Sequence, residues 1–142
     1  EKASKYYTYF KENDKLLIDE DMKRMSLLTK NILNGIDYTS IISKRNENFE
    51  ILNEKFKSDN KLRIKKPFVA FSYPLYCENG LELKRKLAKE NIYIPTLWPN
   101  VLHSMPETSL EYKFAANILP LPCDQRYNAK EMNYLIETIL KV

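Results

Sequence analysis

The clearest pattern in the chain begins after Asp37, where Tyr38, Ile42, Arg45, Phe49, Leu52 and Phe56 recur at intervals of four, three, four, three and four residues. That spacing predicts a long amphipathic helix with one buried stripe, and Asp37 is a good N-cap for it. Residues 2–14 predict an earlier helix with Tyr6, Tyr9 and Phe10 on one face. A stripe of aromatic residues at helical spacing reads as core packing rather than a platform for stacked bases. Asp19 or Asp21 is expected to cap a second helix carrying Met25, Leu28 and Ile32, which Gly35 would end.

The texture changes at Pro67. The run FVAFSYPLY is rich in β-formers and apolar on both faces, so it predicts a buried strand that Pro74 brings to an edge or an end. Asn79 is then expected to cap a short helix with Leu83 and Leu87 inward and its Lys and Arg residues outward. NIYIP predicts a brief strand and ETSLEYKFAAN a short helix. ILPLP must be extended, because proline and the residue before it both disfavour helix. Asn128 and Glu131 have the spacing of a capping box, opening a last helix with Met132, Leu135, Ile136, Ile139 and Leu140 inward. The expected fold is α+β: N-terminal helices with a long connecting helix, then a small β-sheet backed by helices. The expected division is residues 1–37, a helical connecting segment, and residues 38–142, a small domain.

At 142 residues, with 44% hydrophobic and 30% charged positions, the chain can bury a core. Its net charge of +4 lies in the first half: residues 1–66 hold 15 Lys/Arg against 11 Asp/Glu, and residues 67–142 hold 8 of each. The small cluster Lys61, Arg63, Lys65 and Lys66 is neither a long basic stripe nor a known module, so nucleic acid is not an expected partner. No apolar run approaches a membrane span, so a membrane partner is not expected either, and the chain reads as cytoplasmic. Cys77 and Cys123, with 45 residues between them, form no disulfide framework or zinc pattern, and His103 adds no metal site. Cys123 reads as a small buried residue. The chain starts at Glu1 rather than Met, so translation is expected to begin upstream. Gly35 and Gly80 are the only glycines, too few for a loop that cradles phosphate with backbone N–H groups.

Several side chains carry two readings. Arg45 interrupts the apolar stripe: either its stem packs while the guanidinium reaches the rim, or an anion waits at its far end. Arg126 is a natural fork for a carboxylate or phosphate; the plainer reading pairs it with Asp124 or with helix carbonyls. Trp98 before Pro99 reads as a lid on the core, and His103, without an evident partner, as a surface residue.

The segments KRNENFEIL, FVAFSYPLY, GLELKRKLAKENIYIPTLWP and ILPLPCDQRYNAKEMNYLIETIL, taken in order, resemble the C-terminal small domain of the DegT/StrS-type aminotransferases. These are fold-type I enzymes that use pyridoxal phosphate, many of them on nucleotide-linked sugars. The resemblance covers residues 38–142, and residues 1–37 look like the tail of a large domain. It implies that the intact enzyme binds pyridoxal phosphate and works as a homodimer. The large domain would supply the Schiff-base lysine and the phosphate cup, leaving no catalytic residue and no bound cofactor in this chain alone. It also implies that Trp98, His103, Gln125, Arg126 and Tyr127 border the substrate, with Arg45 an anion-binding candidate. The rival expectations are a non-catalytic interaction domain using the N-terminal helices and, third, a nucleic-acid module using KLRIKK.

Overall fold

The computed structural model describes residues 3–18 and 20–142, giving only the backbone of residues 3–5. The fold is α+β, with N-terminal helices, one of them long, followed by a two-stranded sheet backed by further helices. The chain divides into two compact units, residues 1–36 and residues 37–142.

The first unit holds α1 (Ala3–Leu17) and α2 (Leu27–Asn34). Tyr6, Tyr9 and Phe10 do share a face of α1, but they are 64%, 57% and 61% exposed, so the core role expected of them is not what the structure shows. The residue that caps α2 is Ser26, whose hydroxyl accepts from the Thr29 N–H at 3.1 Å. Asp21 lies in coil well before the helix, and the alternative cap, Asp19, lies outside the described residues, as does Lys2 at the expected start of α1. Met25 precedes α2, which buries no residue.

The second unit is organised by α3 (Tyr38–Phe56), capped by the Asp37 carboxylate at the Ser40 N–H, 3.0 Å. Only the C-terminal half of its stripe is buried: Phe49, Leu52 and Phe56 enter the core, while Tyr38 is exposed. Their main partner is Tyr73 on β1 (Ser72–Tyr76), whose ring lies 5.2 Å from that of Phe49. Then come α4 (Gly80–Lys89), α5 (Val101–Ser104), α6 (Leu110–Asn117), β2 (Ile118–Pro122) and α7 (Ala129–Lys141). Asn79 precedes α4 in left-handed geometry, φ 64°, and its side chain does not make the expected cap hydrogen bond. The helix α7 opens with the expected capping box and sends Met132, Leu135 and Ile136 into the core, with Ile139 packed against it, but Leu140, also expected inward, is exposed.

The sheet pairs β1 and β2 antiparallel, with Pro74 opposite Pro120 and Ser72 opposite Pro122. Two facing prolines have no N–H to exchange, so this must be a position where both backbones turn their polar groups outward. The outer edge of β1 is finished by Asn60: its amide donates to the Pro74 carbonyl at 2.9 Å and accepts from the Tyr76 N–H at 3.2 Å. The outer edge of β2 lacks donors at Pro120 and Pro122. Here the structure corrects the sequence reading: NIYIP is not a strand. Residues of that stretch border the same clefts as Pro120 and Pro122, but an edge without those N–H groups offers no ladder to join. The FVAFSYPLY strand is likewise shorter than expected, beginning at Ser72, because the carbonyls just before it are already engaged by α3.

Candidate functional site

Three polar side chains on α3 hold two loops in place. Arg45 donates from Nε to the Ala70 carbonyl at 2.7 Å, from Nη2 to the Phe71 carbonyl at 3.1 Å, and from Nη1 to Gln125 Oε1 at 2.8 Å. Asn46 donates to the Phe68 carbonyl at 3.0 Å and accepts from the Ala70 N–H at 3.2 Å. Asn48 is fully buried and donates to the carbonyls of Asp124 and Tyr127, both at 3.0 Å. Its Oδ1 has no hydrogen-bond partner among the described residues. The R-N-E-N stretch of α3 thus fastens residues 68–71 on one side and the turn Asp124–Tyr127 on the other.

Between these two loops lies an open cleft of about 600 Å³. It is lined by the polar side chains Arg45, Asp124, Gln125 and Arg126, by Phe71, Tyr93 and Leu97, and by Pro95, Pro120 and Pro122. Phe71 and Tyr93 are 76% and 69% exposed, so their rings are presented to solvent. A second cleft of about 320 Å³ shares Tyr93 and Pro122 and is lined by Tyr127.

The turn itself is charged on both sides. Asp124 accepts from the Arg126 backbone N–H at 3.0 Å and takes the guanidinium as a fork, Nε to Oδ1 and Nη2 to Oδ2, each at 2.9 Å. These bonds, with the nearby charges of Arg126 and Arg45, hold the Asp124 carboxyl below its ordinary range, and Arg126 is raised in turn. The guanidinium carbon lies 5.8 Å from the centre of the Tyr127 ring. Next to this turn, burial pushes the Cys123 thiol up to about 11, which suits an inert core residue.

Of the residues singled out in the sequence, Arg45, Gln125 and Arg126 meet in one cleft and Tyr127 lines its neighbour. Trp98 and His103 line neither cleft. Trp98 is 70% exposed, so it is not a lid on the core, and its φ of 52° places a bulky residue in the left-handed region. His103 sits exposed on α5. Sequence reasoning missed Phe71, Tyr93, Pro95 and Leu97 as cleft residues. Phe71 was hidden inside a run that reads as a buried strand, Tyr93 and Pro95 belong to the stretch NIYIP that looks like one, and Leu97 lies just beyond it with no signal of its own.

Two features bear on pyridoxal phosphate. Gly80 does not leave its space to a ligand, since a Cβ there would meet the Ala116 carbonyl oxygen at 2.6 Å. Gly35 ends α2 in ordinary right-handed geometry. Lys84, expected on the outer face of α4, is buried instead, and desolvation lowers its pKa. Its Nζ lies 3.2 Å from Thr96 Oγ1, but it borders neither cleft. These residues therefore do not fit the cofactor's phosphate or its Schiff base. No helix among the described residues is long and apolar enough to cross a membrane. A scan against protein-family models and a search of curated proteins both return no match for the chain.

Proposed function

We propose that the chain is the substrate-cleft domain of a pyridoxal-phosphate aminotransferase of the DegT/StrS type, acting on sugar nucleotides in deoxyaminosugar or polysaccharide biosynthesis. The observation that carries this reading is the order of parts around the cleft. The proline-bounded strand β2 delivers Gln125 and Arg126 to an open cleft that Phe71 and Tyr93 also line, and the R-N-E-N stretch of α3 anchors the segments before β1 and after β2. A cleft lined by both arginines and exposed aromatic rings suits a ligand with an anionic group on a flat or apolar body. The residues of this chain bind, orient and shield such a ligand. The cofactor supplies the electron sink for amino transfer, and the domain that holds it, like the second subunit, lies outside this chain in the proposal.

The test uses the gene as it stands. The reading frame upstream of Glu1 is sequenced and the intact product purified. A large domain with a lysine after a strand, a protein-bound cofactor chromophore that borohydride bleaches, and amino transfer to a nucleotide-linked keto sugar are the expected results. A start codon close to Glu1, with no cofactor retained, would end the enzyme reading.

A second reading has its own observation. The exposed Tyr6, Tyr9 and Phe10 on α1 form an apolar face such as a protein partner covers. It predicts a stoichiometric complex that needs no cofactor and that dissociates when these three residues become serine.

A further inference from the structure

We infer that Asp124 is a built-in competitor for the anion site of this cleft, a displaceable carboxylate that a ligand phosphate must replace on Arg126. The inference rests on the reading of the cleft as a substrate site and assigns its specificity. The two arginines at the turn are not equivalent. Arg45 has spent three N–H donors on Ala70, Phe71 and Gln125, so it is a positioning residue for the cleft walls. Among the described residues the Arg126 side chain hydrogen-bonds only to Asp124, with the Tyr127 ring beside it, and it is 76% exposed. Its two parallel N–H···O bonds to Asp124 have the geometry a ligand carboxylate or phosphate would take.

Asp124 holds that position from two residues away, at an effective concentration no dilute ligand matches. A ligand monocarboxylate offers the same two bonds and no greater charge, so it gains nothing by exchange. A dianionic phosphate does gain, because the turn carries two cations against one anion, and Asp124 once displaced still lies in the field of Arg45. The exposed rings of Phe71 and Tyr93 border the same space, so the class of ligand selected is a phosphate ester with a flat or apolar body.

Asp124→Asn separates the competitor from the turn, since an asparagine oxygen still accepts from the Arg126 backbone N–H while the charge is gone. The 142-residue chain is titrated at low salt with phenyl phosphate and with benzoate, which present the same ring on different anions. The wild-type chain is expected to bind phenyl phosphate in preference to benzoate. Asp124→Asn is expected to tighten phenyl phosphate about fivefold, the scale of an exposed ion pair. Arg126→Gln is expected to abolish binding. Unchanged or weaker binding by Asp124→Asn, at an unfolding temperature equal to wild type, overturns the inference. So does binding that survives Arg126→Gln, which would place the anion elsewhere, for instance on Lys61–Lys66. Because the readout is binding by this chain, an intact protein without cofactor refutes the aminotransferase reading alone. An active aminotransferase with an indifferent Asp124→Asn variant refutes the competitor alone.

Discussion

Lys84 shows what a single residue can hide. It lies three residues before Leu87, and so on the same side of α4, but its charge argues for solvent. Yet α4 is covered by α6, α7 and β2, and the lysine stem follows the core inward until its ammonium meets the Thr96 hydroxyl. No carboxylate among the described residues forms an ion pair with it. A charge held away from water with one neutral partner weakens the fold, so Lys84→Met, which keeps the length and removes the charge, should raise the unfolding temperature by about 3 °C. The pH dependence has a definite sign. The native pKa of Lys84 lies below the ordinary value, so between those two values the unfolded chain binds more protons and stability rises with pH. Lys84→Met should lack that rise in thermal unfolding scans taken from neutral to alkaline pH; an equal rise in both proteins would show that Lys84 is not its source. The pairing of Arg126 with Asp124 was readable because it spans two residues. The second half of the Arg45 account, that its guanidinium holds carbonyls 25 and 26 positions away and an amide 80 positions away, was not.

Elements follow the same division between local and distant causes. The caps of α3 and α7 were legible because a cap is decided within three or four residues, at Asp37–Ser40 and Asn128–Glu131. The sheet was not, because whether NIYIP pairs depends on the edge another strand offers it. A comparable distant constraint acts on α4. Gly80, its first residue, lies so close to the end of α6 that a Cβ would stand 2.6 Å from the Ala116 oxygen and 2.7 Å from Asn117 Cα. Backbone cannot yield as a flexible side chain does, so Gly80→Ala should cost about 1–3 kcal/mol in urea unfolding. Gly35→Ala is the internal control: its φ is −84° and nothing approaches nearer than 3.5 Å, so it should be neutral or stabilise by up to about 1 kcal/mol. Similar costs at the two positions would mean that α4 and α6 have room to part.

At the scale of the molecule, the sequence disguises how unequal the two units are. Both carry apolar residues at helical spacing, and spacing reports that a face is apolar without reporting what covers it. All of the core, from Phe49 to Ile136, lies in residues 37–142. In residues 1–36, α1 spans 15 residues and α2 only 8, and no side chain described there is buried. Helices of that length without a buried face are marginal in water, since packing supplies most helix stability in proteins. Removing residues 1–36 should therefore leave the unfolding temperature within about 2 °C of the full chain, because no side chain described in the helices removed is buried. Amide exchange in the full chain should be fast through α1 and α2 and slow in α7 and the C-terminal half of α3. A fragment 37–142 that loses cooperative unfolding, or slow exchange in α1, would show that the first unit is held by contacts of its own. If the fragment behaves as expected and also loses the dye-binding apolar surface of the full chain, then Tyr6, Tyr9 and Phe10 are free for a partner, and α1 is where a pull-down with the intact protein should begin.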